Sequence, residues 1–251
     1  MKIKTLLTAL LISFSLSSFS QESAPSTLKG FKSNHNFDLA LAASSDQFSG
    51  ALSWAHLYGV GKSKKFKVGY GIRYTGYSGK NQNYITAPAK LTTGKTGPQV
   101  LFSEINPANY DTLFMAKAQH NSINLTINLQ YTLFKKFELG FNIDAAGFTF
   151  GAEQTGKFIS SARPASISEK QLAKPTSFNA LLISDNDIGT LNSEFYGRYW
   201  LTDKIGIKAG FTFLFTEYTT DNKLVLDNDR WRNKSGMGMI GITYTPFKQK
   251  R

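Results

Sequence analysis

The residues whose types and spacing could do chemistry are few. His120-Asn121-Ser122 sets an imidazole and a hydroxyl two positions apart. On a strand both side chains share one face, and a base beside a hydroxyl is the beginning of a nucleophilic pair. Such a pair also wants an acid to orient the imidazole. No carboxylate is placed for that: Glu138 falls at the opposite end of the strands described below, and Asp144 belongs to their interior face. His35, His56 and His120 are the three histidines, and there is no cysteine, so thiol chemistry, disulfides and zinc or haem ligation are not expected. Gly59-Val60-Gly61-Lys62-Ser63 lacks the four-residue spacer and following helix of a phosphate loop. Asp221, Asp227 and Asp229 lack the spacing of a calcium loop. No metal and no cofactor are expected.

What would position such residues is a set of alternating strands. Ile123 to Leu133 is apolar or aromatic at every odd position and Asn, Thr or Gln at every even one. Successive strand side chains point to opposite faces, so the segment has one apolar and one polar face. The chain opens with Met1-Lys2-Ile3-Lys4 and an apolar run from Leu6 to about Phe19, with Ser18 and Ser20 before Gln21. A basic start, an apolar middle and a small-residue exit describe a secretory signal peptide over 1–20. No later run reaches the length of an apolar spanning helix. An exported chain of alternating strands then reads as a barrel with its apolar face toward lipid and its polar face inside. Phe, Tyr and Trp make up 14% of the residues and gather at strand ends, where interfacial girdles form.

Residues 21–35 read as a polar periplasmic tail, 36–247 as the barrel and 248–251 as a basic extension. Eight strands are expected: 36–43, 47–60, 66–77, 118–133, 137–150, 191–201, 205–218 and 235–247. Residues 36–60 could instead form one long strand. After the first hairpin the connections alternate strictly between short (near 62–65, 134–136 and 202–204) and long (78–117, 151–189 and 219–234). Short periplasmic turns and long extracellular loops are the pattern of outer-membrane barrels. The expected fold is therefore all-β, an antiparallel eight-stranded transmembrane β-barrel, and the expected place is the cell outer membrane of a Gram-negative envelope.

On these features the chain resembles the small eight-stranded outer-membrane barrels of the OmpA/OmpX type over residues 36–247. Tyr244-Thr245-Pro246-Phe247 looks like the C-terminal aromatic signal of that class, although Lys248-Gln249-Lys250-Arg251 follows it. The leader ending Phe19-Ser20-Gln21 is similar to those of Bacteroidetes. The His120-x-Ser122 element resembles that of PagL-type lipid A deacylases, which implies a lipid A-modifying hydrolase as one alternative.

With apolar faces outward, the interior face carries Asp38, Lys67, Arg73, Glu138, Asp144, Glu194, Arg198 and Lys208: four bases and four acids. Charges confined in so narrow a lumen must pair, and eight strands leave room for little beyond their own side chains. A filled lumen, not an open pore, is expected. Lys62, Lys64, Lys65, Lys135, Lys136, Lys204, Lys248, Lys250 and Arg251 collect on the periplasmic rim. They would meet anionic headgroups or an acidic periplasmic partner.

The formal charge is +12; taking Lys2 and Lys4 from the 29 basic residues leaves 27 against 17 acids, a net +10. Export argues against nucleic acid, so the expected partners are outer-membrane lipids, lipopolysaccharide, and other outer-membrane or periplasmic proteins. Apolar stretches at Val100-Leu101-Phe102, Leu113-Phe114-Met115 and Phe178 to Ile183 suggest loops that pack together, strands that continue, or a protein contact. Trp231 between Arg230 and Arg232 could stack on a sugar or anchor at an interface. The expected function is a non-enzymatic, filled barrel acting as a structural or interaction protein, or as an accessory subunit of a larger outer-membrane complex. A porin-like channel for small solutes or lipophiles is the other alternative.

Overall fold

The structure, a computed structural model, describes residues 33–246 apart from 105, 162–168 and 183–185. The signal peptide, most of the tail, Phe247 and the basic extension lie outside the described residues. Eleven strands form one sheet: β1 (Ser33–Ala43), β2 (Gln47–Val60), β3 (Phe66–Thr86), β4 (Thr112–Phe134), β5 (Phe137–Phe150), β6 (Gln154–Ile159), β7 (Lys170–Pro175), β8 (Phe178–Ala180), β9 (Leu191–Trp200), β10 (Ile205–Thr220) and β11 (Arg230–Tyr244). A five-residue helix, α1 (Ala89–Thr93), sits in the first long connection.

Eight strands close a ring through antiparallel pairs in the order β1-β2-β3-β4-β5-β9-β10-β11, with β11 back on β1. The ring is uneven. β3 and β4 pair from Phe66 to Ile85, whereas β5 and β9 pair only from Phe137 to Ile143 and β1 and β11 only from Phe37 to Ala43. Residues 36–60 form two strands, joined by a tight hairpin at 44–46.

Three expectations are corrected. First, the long inserts are not loops throughout; of the alternatives for their apolar stretches, continuing strands are found at Leu113-Phe114-Met115, and Phe178–Ala180 is a short strand. β3 runs on to Thr86, β4 begins at Thr112, and β6, β7 and β8 arise inside the second insert. Above the eight-stranded ring, β3, β4, β6, β7, β10 and β11 close a second, shorter ring, sealed by Leu113 opposite Phe158, Gln154 opposite Ala173, Thr219 opposite Lys174 and Trp231 opposite Thr86. Second, the tail ends sooner: β1 begins at Ser33, and His35 lies in it opposite His56. The two imidazoles stack with centroids 4.1 Å apart, which extends the hairpin past Asn36. Third, the last strand begins at Arg230, so Trp231 is a strand residue and not part of a loop.

The upper ring escapes simple alternation for a physical reason. Along β3 the even positions from Phe66 to Lys80 face outward, but Gln82 and Tyr84 are buried. Asn81 adopts a left-handed φ of 52°, and the faces exchange there. On the paired strand β4, Ala116 and Lys117 are both exposed, and the buried set shifts from even positions to Met115 and Leu113. The upper ring therefore encloses an apolar core of Tyr84, Leu113, Met115, Phe158, Ala173, Tyr218 and Trp231. Burial pushes the Tyr84 phenol well above its ordinary pKa, so it stays neutral and accepts a hydrogen bond from Thr216 Oγ1 at 3.0 Å.

Candidate functional site: the filled lumen

The eight-stranded ring turns one side-chain set inward from every strand, and the eight charged residues expected there meet inside it. They form one chain in which bases and acids alternate. Lys67 Nζ lies 2.5 Å from Glu138, Glu138 lies 3.6 Å from Arg198, and Arg198 lies 3.2 Å from Asp38. Asp38 lies 3.4 Å from Lys208, Lys208 lies 3.0 Å from Glu194, and Glu194 lies 3.1 Å from Arg73, which reaches Asp144 at 3.1 Å. All are buried except Lys67, which is partly exposed at the short-turn end.

Glu138–Arg198 and Lys208–Glu194 join neighbouring strands, while other links cross the lumen. Arg198 on β9 meets Asp38 on β1, and Arg73 on β3 meets Glu194 on β9. Taking so many charges out of water is unfavourable unless each has several partners. Uncharged side chains supply them. Thr243 Oγ1 donates to Asp38 at 2.5 Å, Trp200 Nε1 to Glu138 at 2.9 Å, Asn142 Nδ2 to Glu194 at 3.1 Å and Asn124 Nδ2 to Asp144 at 2.8 Å. Arg73 donates to Asn142 Oδ1 at 2.9 Å. The Tyr196 ring lies under both Arg198 and Lys208, 5.1 and 4.8 Å from its centroid.

Of these uncharged partners, Asn142 shares the inward phase of Glu138 and Asp144 in the sequence, whereas nothing but the alternation marks the others. Asn124, Asn142, Tyr196 and Thr243 all occupy inward positions of the alternation, so the signal was present. Trp200 is fully buried against Glu138 instead of sitting in an aromatic girdle.

Toward the long-loop end, β8 wedges against β5 and carries Asn179 into the interior. Asn179 is fully buried, donates to Asn124 Oδ1 at 2.8 Å, and accepts from Thr149 Oγ1 and the Thr190 amide at 2.8 Å. Gly189 passes beside it with φ of 75°, where a Cβ would lie 2.2 Å from Asn179 Oδ1. His120 and Ser122 also face inward and are buried. Neither imidazole nitrogen nor the Ser122 hydroxyl has a hydrogen-bond partner among the described residues. His120 instead stacks on Tyr77 at 4.9 Å. The two are therefore not assembled as nucleophile and base. Trp231, expected on a loop, is fully buried edge-on to Phe158 and donates to Thr220 Oγ1 at 3.2 Å.

Comparison with known proteins adds likenesses of shape. No family model and no curated protein matches the chain. Among solved structures it is similar to Neisserial surface protein A at 11% identity, covering 86% of this chain and 97% of that one with a TM-score of 0.36. It is similar to Ail of Yersinia pestis at 11% identity, covering 85% and 99% with a TM-score of 0.34. It is also similar to a major outer membrane protein from Thermus thermophilus at 10% identity, covering 85% and 99% with a TM-score of 0.35. The likenesses are too distant to transfer any property to this chain.

Two further groups of charge complete the site. At the short-turn end, Lys62, Lys64, Lys65, Lys135, Lys136 and Lys204 lie in the turns between β2 and β3, β4 and β5, and β9 and β10. These turns continue the ladder at one end of the ring: the Thr132 amide donates to Lys65 O, Trp200 to Lys136 O and Thr245 to Lys204 O, each at 2.9 Å. Lys248, Lys250 and Arg251, expected on the same rim, lie outside the described residues. At the other end Glu217, missed in the sequence because it falls in a run of strand residues, is fully buried. It accepts from Arg230 Nε at 2.7 Å and Arg232 Nη2 at 2.8 Å. Both arginines also donate to the Asp187 carbonyl, pinning the connection before β9 to the wall.

Proposed function

We propose that the chain is a non-enzymatic outer-membrane β-barrel that does not conduct, and that it acts as a structural or interaction protein. The observation that carries the proposal is the alternating eight-charge chain across the lumen, beneath a folded apolar cap. An open pore needs a continuous wet path, and here paired side chains occupy the interior. The membrane setting is supported by the outer wall of the eight-stranded ring. Leu39, Leu52, Tyr70, Leu125, Phe211 and Ile240 are each about half exposed or more, and they belong to a belt that runs through every strand of the ring. Exposed apolar area on that scale calls for lipid.

The chain then belongs to the small OmpA/OmpX-like kind, with its short turns in the periplasm and the upper ring outside the cell. The basic turns face the anionic headgroups of the inner leaflet or an acidic periplasmic protein. The upper ring is a built platform, which suits contact with another outer-membrane protein.

The test is planar-bilayer recording of the refolded chain. No steady conductance above the bare-bilayer level is expected, and a reproducible open level would overturn the filled-lumen reading. Gentle detergent extraction with a tag after Arg251 separates the two roles. A stoichiometric co-purifying protein supports the accessory role, and a lone barrel supports the autonomous one.

A further inference from the structure

We propose that Lys80 and Lys117 form a binding site for the phosphate of an outer-leaflet lipid headgroup; the site rests on the outer-membrane reading above. The two lysines are direct cross-strand partners on β3 and β4. Like charges placed opposite each other in a sheet destabilise it unless something neutralises them. Both are exposed on the outer wall. Among the described residues, neither ammonium lies within ion-pair distance of a carboxylate. Asp46 is the nearest acid by topology; its carbonyl accepts from the Lys80 amide at 2.9 Å, while its carboxylate is not paired with the lysine.

Three other exposed lysines of the same end, unlike Lys90 and Lys95 in the first long connection, are handled differently. Lys157 pairs with Glu169 at 3.2 Å, Lys174 with Glu153 at 3.0 Å and Lys223 with Asp227 at 2.8 Å. The hydrogen bond from Lys174 to Glu153, with the charges of Asp221 and Glu153, holds that ammonium above its ordinary pKa. The chain thus supplies acids to these three lysines and not to the pair at 80 and 117, which differs from Lys90 and Lys95 in setting two ammonium groups opposite each other on one sheet.

The position of the pair says what the missing anion is. Lys80 and Lys117 stand where the faces of β3 and β4 exchange, and Asn81 and Ala116 beside them are exposed too, so the wall forms a shelf. Below the shelf on the same outer face come Ser78 and Gln119, then Gly76 and Asn121, then Tyr74 and Ile123, where the apolar belt begins. The Tyr74 hydroxyl donates to Asn121 Oδ1 at 2.7 Å, which marks a polar border. Two flexible cations just above an apolar belt meet lipid phosphate, and their long stems let the heads reach toward it.

The probe is diphosphorylated lipid A, compared with the same lipid stripped of its phosphates. Each is doped into micelles of an uncharged detergent that hold the full-length mature protein, and retained lipid is read by native mass spectrometry. Wild type should prefer the phosphorylated lipid, by about fivefold per lysine. Lys80→Gln with Lys117→Gln should lose that preference, and Lys80→Arg with Lys117→Arg should keep it. Lys157→Gln with Lys174→Gln should leave it intact.

Equal retention of the two lipids by wild type would overturn the site, as would an unchanged preference in the double glutamine variant. Inorganic phosphate alone adding the same number of bound groups would show a free-anion site instead and overturn the lipid assignment. Insertion from denaturant into zwitterionic vesicles, read as folded gel mobility, is scored separately. Failure there would sink the membrane reading and the site together, whereas insertion without lipid preference would sink only the site.

Discussion

The lower and upper rings share β3, β4, β10 and β11 yet have opposite interiors. The lower one is filled by ion pairs and amides, and the upper one by Tyr84, Leu113, Met115, Phe158, Tyr218 and Trp231. Their outer walls differ too: apolar around the lower ring, and around the upper a mixture of charge at Lys157, Glu153 and Lys174 with Ile159 and Leu172. A closed sheet must put something inside, and what it can put there depends on what lies outside. Against lipid, the apolar set is used up on the wall and the interior is left with polar groups that have to pair. Against water, the ordinary arrangement returns. β10 makes the change without altering its alternation, because its inward positions pass from Lys208 and Thr212 to Leu214 and Tyr218. β3 and β4 make it by exchanging faces at Asn81 and Ala116.

The comparison breaks most visibly if the lower interior tolerates an unpaired charge. Arg198→Leu leaves Asp38 and Glu138 each short of a partner. Removing one member of a buried ion pair costs about 3–5 kcal/mol. Urea unfolding in lipid vesicles, followed by tryptophan fluorescence, should show a loss of that order for the whole barrel. A loss no larger than that of an exposed ion pair, about 1 kcal/mol or less, would mean water reaches the network and the lumen is not closed. The upper ring should respond locally. Leu113→Ala opens a cavity beside Phe158, worth about 3 kcal/mol, in a ring built from short strands. Amide exchange should quicken in β6 and β7 while β1, β2 and β9 stay protected. Simultaneous loss of protection in both sets would show that the two rings unfold as one unit.

Much of the lower ring is legible in the sequence, because one rule governs it through most of its length; on β5 a bulge beside Ala145 moves the inward set from Asp144 to Thr149. β2 and β5 have the boundaries their alternation implies, and each inward charge lies at a position the phase predicts. The upper ring is hidden for two reasons. A left-handed residue at Asn81 reverses the phase, so Gln82 and Tyr84 read as the start of irregular chain. β6, β7 and β8 are short, and their pairing comes from neighbours far away in sequence. Trp231 shows a different limit: flanked by arginines it reads as an exposed anchor, and only its place on β11 turns it inward. The charge network was readable as a set of residues, but its order was not. Which base meets which acid depends on strand tilt and on distances across the lumen, which no single strand encodes.

The exchange of faces itself gives the smallest and sharpest test. Asn81 is one of the few non-glycine residues with a positive φ. Asn is tolerated there, whereas a β-branched residue should cost about 1–2 kcal/mol. Asn83, two positions on, is an exposed strand residue with no such conformation, and surface changes of that kind stay within about 0.5 kcal/mol. Asn81→Val should therefore lower the unfolding midpoint measurably, Asn81→Gly should leave it nearly unchanged, and Asn83→Val should have little effect. If the two valine variants behave alike, the strand does not exchange faces at Asn81. The apolar interior of the upper ring would then need another explanation than a single residue that lets an inside-out barrel become an ordinary one.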